Sequence, residues 1–305
     1  MTGSGLAPGV HTVLVTPFRA DQSLDEGSMG PLVELVVSAG VQGVLALGFL
    51  GEAHKLSDGE RRRVLELALL HVDGRVEVTA GVSQPSTFGA AAAARAAERL
   101  GVTAVMVAPP AGTSAGPELR EHFLRVADGL SVPVVVQDYP ASGGVRMPVE
   151  FLVSLVAELP PGSAVKLEEP PTAAKIARLR AAAPVLPVIG GLGGVALLHE
   201  LAAGSAGTMT GFAYPELLVE IVEAHRAGDT ERARRVFEDA LPLLVFEGQE
   251  GLGLGVRKEI LRRRGAIADA TVRAPAPALD EQTLSDLDAL LETRRQADRL
   301  GVPTG

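Results

Sequence analysis

Only four lysines occur among the 28 basic residues, Lys55, Lys166, Lys175 and Lys258, so arginine carries the ordinary surface charge. Lys166 closes the short apolar run of GSAVKLEEP and is followed by Glu168 and Glu169. A lysine set against an apolar strand has a specific chemical use. Its neutral amine can add to a ketone, and the resulting imine is an electron sink for making or breaking the adjacent bond. Burial among Ala164, Val165 and the surrounding core would supply that free amine. Side chains alternate along a strand, so Lys166 and Glu168 share one face while Leu167 and Glu169 take the other. The plainer reading of the same residues is a structural ion pair between Lys166 and one of the two acids.

A second stretch, LGFLGEAHKLSDGERRR, brackets Phe49 and Leu50 between Gly48 and Gly51. Glycines so placed let a tight loop turn successive backbone N–H groups toward an anion such as a carboxylate. Ser57 and Glu60 have the spacing of a capping box and predict a helix start, and Arg61 to Arg63 read as its solvated face. The GGLGG run at 190–194 lacks dinucleotide-binding spacing and reads as a close-packed strand exit. Six histidines offer no pair at ligand spacing and there is no cysteine, so neither a metal nor a cofactor is expected.

These residues need elements to position them. Eight short apolar runs, HTVLVTPF, VQGVLALG, RVEVTAG, VTAVMVAPP, PVVVQDYP, SAVKLEE, LPVIGG and AGTMTGF, alternate with helical-period stretches such as GPLVELVVSAG and PVEFLVSLVAEL. That count is the count of a (β/α)8 TIM barrel, and near-continuous apolar strands suit a parallel sheet buried on both faces. An open doubly wound sheet is the rival arrangement. From 229 onward only helical segments follow, so the division expected is a barrel over 1–228 and a C-terminal helical appendage over 229–305. In a barrel the reacting groups sit at the C-terminal strand ends, which is where Lys166, Gln137, Tyr139 and Glu168 fall.

The net charge of −9 and the absence of a basic stripe argue against nucleic acid and anionic membranes. No run of about 18 apolar residues occurs, and MTGSGLAPGV has neither a basic nor an apolar leader region. A cytoplasmic location is expected.

Taken in order, VTPF, GxxGE followed by LSxxER, the strand-six lysine, GSAGTMTG, AGDTERAR and the helical tail resemble the dihydrodipicolinate synthase and N-acetylneuraminate lyase family of class I aldolases. The resemblance spans nearly the whole chain. It implies that Lys166 is the Schiff-base lysine, that the substrate is pyruvate or another 2-oxo acid, and that the chain forms a homo-oligomer, a tetramer or dimer. It implies a substrate pocket at Gly48, Phe49, Leu50, Gly51, Gln137, Glu168 and Met209. Phe49 and Leu50 replace the family's loop hydroxyls, and Gln137 stands where its catalytic tyrosine belongs. Tyr139, two residues on, has the same strand parity and is the candidate proton shuttle, with Gln137 or Glu168 as alternates. The synthases' second tyrosine and carboxylate-gripping arginine have no counterparts in APPAGTSAG and PASGG. The expectation is a lyase, aldolase or dehydratase, that does not condense pyruvate with aspartate semialdehyde. The alternative is a degenerate barrel that binds a 2-oxo acid or serves as an assembly partner.

Overall fold

The computed structural model describes residues 5–300, with side chains through residue 294. All eight expected strands form: β1 (Val10–Val13), β2 (Gly43–Ala46), β3 (Glu77–Gly81), β4 (Ala104–Val107), β5 (Val134–Asp138), β6 (Ala164–Leu167), β7 (Val188–Ile189) and β8 (Thr208–Thr210). Every pairing is parallel, in the order β7-β6-β5-β4-β3-β2-β1-β8. A parallel bridge between Gly190 and Thr208 joins the two ends of that order and closes the barrel. The open-sheet alternative is thereby excluded.

Helices follow the strands and cover them: α1 (Met29–Ser38), α2 (Asp58–Val72), α3 (Thr87–Leu100), α4 (Pro117–Ala127), the one-turn α5 (Pro140–Gly143), α6 (Val149–Val156), α7 (Thr172–Ala182), α8 (Leu197–Ala202) and α9 (Pro215–Arg226). Their starts and stops obey local chemistry. Ser57 and Glu60 exchange both capping-box hydrogen bonds at the head of α2, and Gly101 closes α3 at φ 102°, a conformation that L side chains rarely adopt.

The core has two layers because each strand is buried on both faces. One set of side chains points outward to the helices. The other, with Val13, Leu45, Ala104, Met106, Val135, Ile189 and Met209, fills the barrel. Burying each of these Val, Leu, Ile or Met side chains stabilises the fold by about 1.5–3 kcal/mol.

Three further helices, α10 (Thr230–Glu247), α11 (Gly253–Arg263) and α12 (Glu281–Leu300), complete the chain. Lys258 of α11, with none of its surface exposed, reaches the buried Glu52 just after the glycine loop. Arg257 pairs with Glu247, whose carboxylate also accepts the N–H of Ala213 after β8. The C-terminal helices thus brace the loops at the mouth of the barrel.

Candidate active site

Lys166 and Gln137 are register partners on β6 and β5, so their side chains enter the barrel side by side. Glu168 lies one residue beyond the end of β6 with the same parity, and its carboxylate stands 3.0 Å from the Lys166 ammonium. All three are buried. The remaining contacts of Glu168 fix it in place: Gln137 donates to Oε2 at 2.7 Å, and the N–H of Leu192 donates to Oε1 at 3.2 Å. The backbone beside it is glycine for a steric reason, since a Cβ on Gly191 would lie 2.4 Å from Oε1 of Glu168. The GGLGG run is therefore the close-packed exit of β7, shaped around a carboxylate.

The opposite parity carries a separate ion cluster behind the strands. Lys175 of α7 donates to Asp138 and Glu169, each at 2.5 Å, and to the carbonyl of Met147 at 2.7 Å. Burial pushes the Asp138 carboxyl up to about 6 against the pull of Lys175. Lys166 and Lys175 thus divide the two consecutive acids, Glu168 inside and Glu169 outside.

The other candidates separate. Tyr139 is half-buried at the N-cap of α5, where burial and the nearby charge of Glu168 raise its phenol above the usual range. It makes no hydrogen bond to Lys166 or Glu168 among the described residues, so the group in contact with the lysine is Glu168. In the glycine loop, the N–H of Gly51 turns back to the carbonyl of Gly48 and that of Glu52 to Phe49. The N–H groups of Gly48, Phe49 and Leu50 have no such backbone partner among the described residues. Leu50 packs against the barrel interior.

Phe49 and Met209 depart from expectation. Phe49 is 57% exposed and stacks on His54 at 5.2 Å, so Leu50 alone of the pair makes the barrel interior more apolar. Met209 has no exposed surface; the register that pairs it with His11 sets it inside the packed barrel, where it supports the site without presenting a surface to a ligand. Two features went unread in the sequence. Glu52 takes Lys258 and Lys55 together with the N–H of Arg273, and Glu200 sits fully buried behind the β7 exit. The scarcity of lysine was a signal for the first. For Glu200, one acid in a helical stretch, no local signal existed.

Comparison with known proteins shows the family. Residues 7–294 match the profile of the dihydrodipicolinate synthetase family. The chain belongs to that family. L-2-keto-3-deoxyarabonate dehydratase from Azospirillum brasilense is 33% identical over 288 residues, which cover 92% of this chain and 93% of the relative. A dihydrodipicolinate synthase from Rhodopseudomonas palustris superposes with a TM-score of 0.90 at 32% identity, covering 96% of this chain and all of the other. YagE, a prophage protein of the family from E. coli K12 solved in complex with pyruvate, superposes at 0.88 with 25% identity over 95% and 99% of the two chains. As a member of the dihydrodipicolinate synthetase family, the protein is a lyase built on a (β/α)8 barrel. Among the described residues no helix is long and apolar enough to cross a membrane.

Proposed function

We propose that the protein is a Schiff-base lyase that dehydrates a 2-oxo-3-deoxy acid, with Lys166 as nucleophile and Glu168 as its acid–base partner. The observation that carries this reading is the 3.0 Å approach of Glu168 to the Lys166 amine. A carboxylate held there by Gln137 and the Leu192 N–H does what the family's missing tyrosine would otherwise do.

Glu168 takes the proton from the Lys166 ammonium, and the amine attacks the C2 carbonyl. Glu168 gives that proton to the C2 hydroxyl, which leaves as water, so the protonated imine forms and Glu168 is a carboxylate again. The imine draws electrons, which acidifies the C3 protons, and Glu168 at the same nitrogen is placed to remove one of them. The enamine then expels the hydroxyl on C4 as Glu168 returns the proton to it, so water departs and a double bond conjugated to the imine remains. Hydrolysis of the imine restores Lys166 and consumes the water released when it formed. The net change is loss of one water from the substrate.

Elimination and carbon–carbon cleavage would draw on the same imine, and of the two we favour elimination. The match to L-2-keto-3-deoxyarabonate dehydratase along 92% of the chain points the same way, and the pyruvate complex of YagE supports a 2-oxo acid as ligand. The substrate carboxylate fits the free N–H groups of Gly48, Phe49 and Leu50. We further propose a homo-oligomeric, cytoplasmic enzyme.

Borohydride reduction in the presence of pyruvate or a 2-oxo-3-deoxy pentonate, followed by intact mass and peptide mapping, tests the reading. An adduct on Lys166 that is absent from Lys166→Ala is expected. A folded protein that gives no adduct with any of a panel of 2-oxo acids overturns it in favour of a barrel without turnover.

A further inference from the structure

Behind the active site lies a carboxylate that the reaction as written does not use. Glu200, on α8, has no exposed surface, and among the described residues neither of its carboxyl oxygens has a hydrogen-bond partner. An ionised carboxylate so placed would be costly, because nothing replaces the water it has lost. Its position is specific. A Cβ on Gly190 would fall 1.9 Å from Oε2 of Glu200, while a Cβ on the next residue, Gly191, would fall 2.4 Å from Oε1 of Glu168. One diglycine turn is therefore pressed by two acids, Glu200 on one residue and Glu168 on the next, and the Leu192 N–H that leaves the turn holds Glu168.

We infer that Glu200 is a positioning residue for the lyase reaction: as a neutral acid it backs the Gly190–Gly191 turn and keeps the proton of a carboxyl pair whose negative charge belongs to Glu168. This rests on the role proposed for Glu168.

Two carboxyls this close to one turn cannot both ionise freely, and the environments part them. Glu168 has Lys166, Gln137 and a backbone donor. Glu200 has none of these, and burial, then the charge of Glu168, lift its carboxyl to about 7; the Thr172 hydroxyl opposes this without meeting hydrogen-bond geometry. The charged groups of the neighbouring elements pair elsewhere or, like Arg178 of α7 and Glu223 of α9, lie exposed. On α7, Lys175 faces Asp138 and Glu169, and Arg180 faces the Leu186 carbonyl. His199 of α8 itself is exposed. On α10, Arg234 and Arg235 pair with Glu238 and Glu231, and Glu220 of α9 pairs with Arg232. Once Glu200 ionises, two negative charges press one turn, and their repulsion displaces the Glu168 carboxylate from its place beside Lys166.

Two readouts test this. The wild-type enzyme should lose kcat on an alkaline limb near pH 7, and in Glu200→Gln that limb should vanish or move up by at least about one pH unit, since a unit corresponds to a tenfold change in proton affinity. Glu200→Asp, which keeps the titrating group, should keep a limb. Independently of activity, Glu200→Gln should raise Tm at pH 8.5 and leave it little changed at pH 5. A purely structural Glu200 would give a uniform loss of kcat with the limb unmoved and the same Tm difference at both pH values, which overturns the inference. If Glu200→Gln fails to fold, Glu200→Met gives the same comparison: it should lack the alkaline limb, and a limb that persists in it overturns the inference. Failure of the imine reading shows separately, as absence of the borohydride adduct on Lys166.

Discussion

The ammonium of Lys258 lies 2.6 Å from the carboxylate of Glu52, joining residues 206 positions apart in an environment closed to water. Glu52 ends the glycine loop in a left-handed conformation, φ 53°, and Lys258 belongs to the C-terminal helices. The pair therefore makes the shape of the loop depend on the C-terminal helices. Phe18 adds to the clamp, with Lys258 and Arg273 4.5 and 4.2 Å from its ring centroid.

Removing one member of a buried pair strands the other charge, which typically costs about 3–5 kcal/mol. Lys258→Met should fall at the low end, about 3 kcal/mol, because Lys55 and the Arg273 N–H still reach Glu52. Urea denaturation would measure it. The loosened loop should also raise KM for a 2-oxo acid several-fold more than it lowers kcat, since the loop holds the substrate and not the reacting carbon. An unchanged KM would show that the clamp is structural only.

Glu168→Gln keeps the shape and the contact with Lys166 but removes the base. General acid–base groups contribute about 10²–10⁴-fold, so kcat for dehydration should fall by that factor. Borohydride should still trap an adduct on Lys166, more slowly. Loss of turnover with retained trapping separates the proton shuttle from the nucleophile; equal loss of both would make Glu168 only a partner that holds the lysine.

The barrel was legible in the sequence because each buried strand is written as a compact apolar run. The reach of strand one was not: the strand starts at Val10, one residue before HTVLVTPF, and ends at Val13, since Pro17 cannot donate to a ladder and the chain turns away into the Phe18–Leu24 bridge. The Lys166–Glu168 pairing was legible from parity alone, and so was the division of Glu168 from Glu169. Which lysine Glu169 would meet was not, because Lys175 lies a helical turn and a half away on α7. Phe49 misled because loop residues carry no parity. Glu200 was invisible because the fact that defines it, burial without a partner, exists only once α8 packs behind the β7 exit.

Gly191→Ala tests the packing around the base with a single carbon. The new Cβ would lie 2.4–2.6 Å from the Glu168 carboxylate and its Cγ, so the side chain must swing away. Glu168 is buried and held by Lys166, Gln137 and the Leu192 N–H, so displacing it breaks a buried ion pair and stability should fall by about 3 kcal/mol. Activity should not be spared: a base displaced by about 1 Å costs on the order of 10²-fold in kcat. Circular dichroism melting and steady-state kinetics on the same sample check both halves.

Glu60 gives the clearest dependence of stability on pH. Arg273 donates to both of its oxygens, and the N–H of Ser57 completes the capping box. Led by the Arg273 hydrogen bonds, these hold its carboxyl at about 2, below the ordinary 4.5, against a smaller opposing effect of burial. Because the folded value is depressed, the unfolded chain binds the proton first as pH falls, and folding loses stability from about 4.5 downward until the native carboxyl also protonates near 2. Above 4.5 the contribution is complete. Glu60→Gln should therefore cost about 2 kcal/mol at pH 7, combining the lost cap with the lost ion pair, and the gap to wild type should narrow steadily between pH 4.5 and 2. Urea titrations at pH 7, 4 and 3 would show this convergence. A gap that stays constant over that range would mean that Glu60 acts through the shape of its cap and not through its charge.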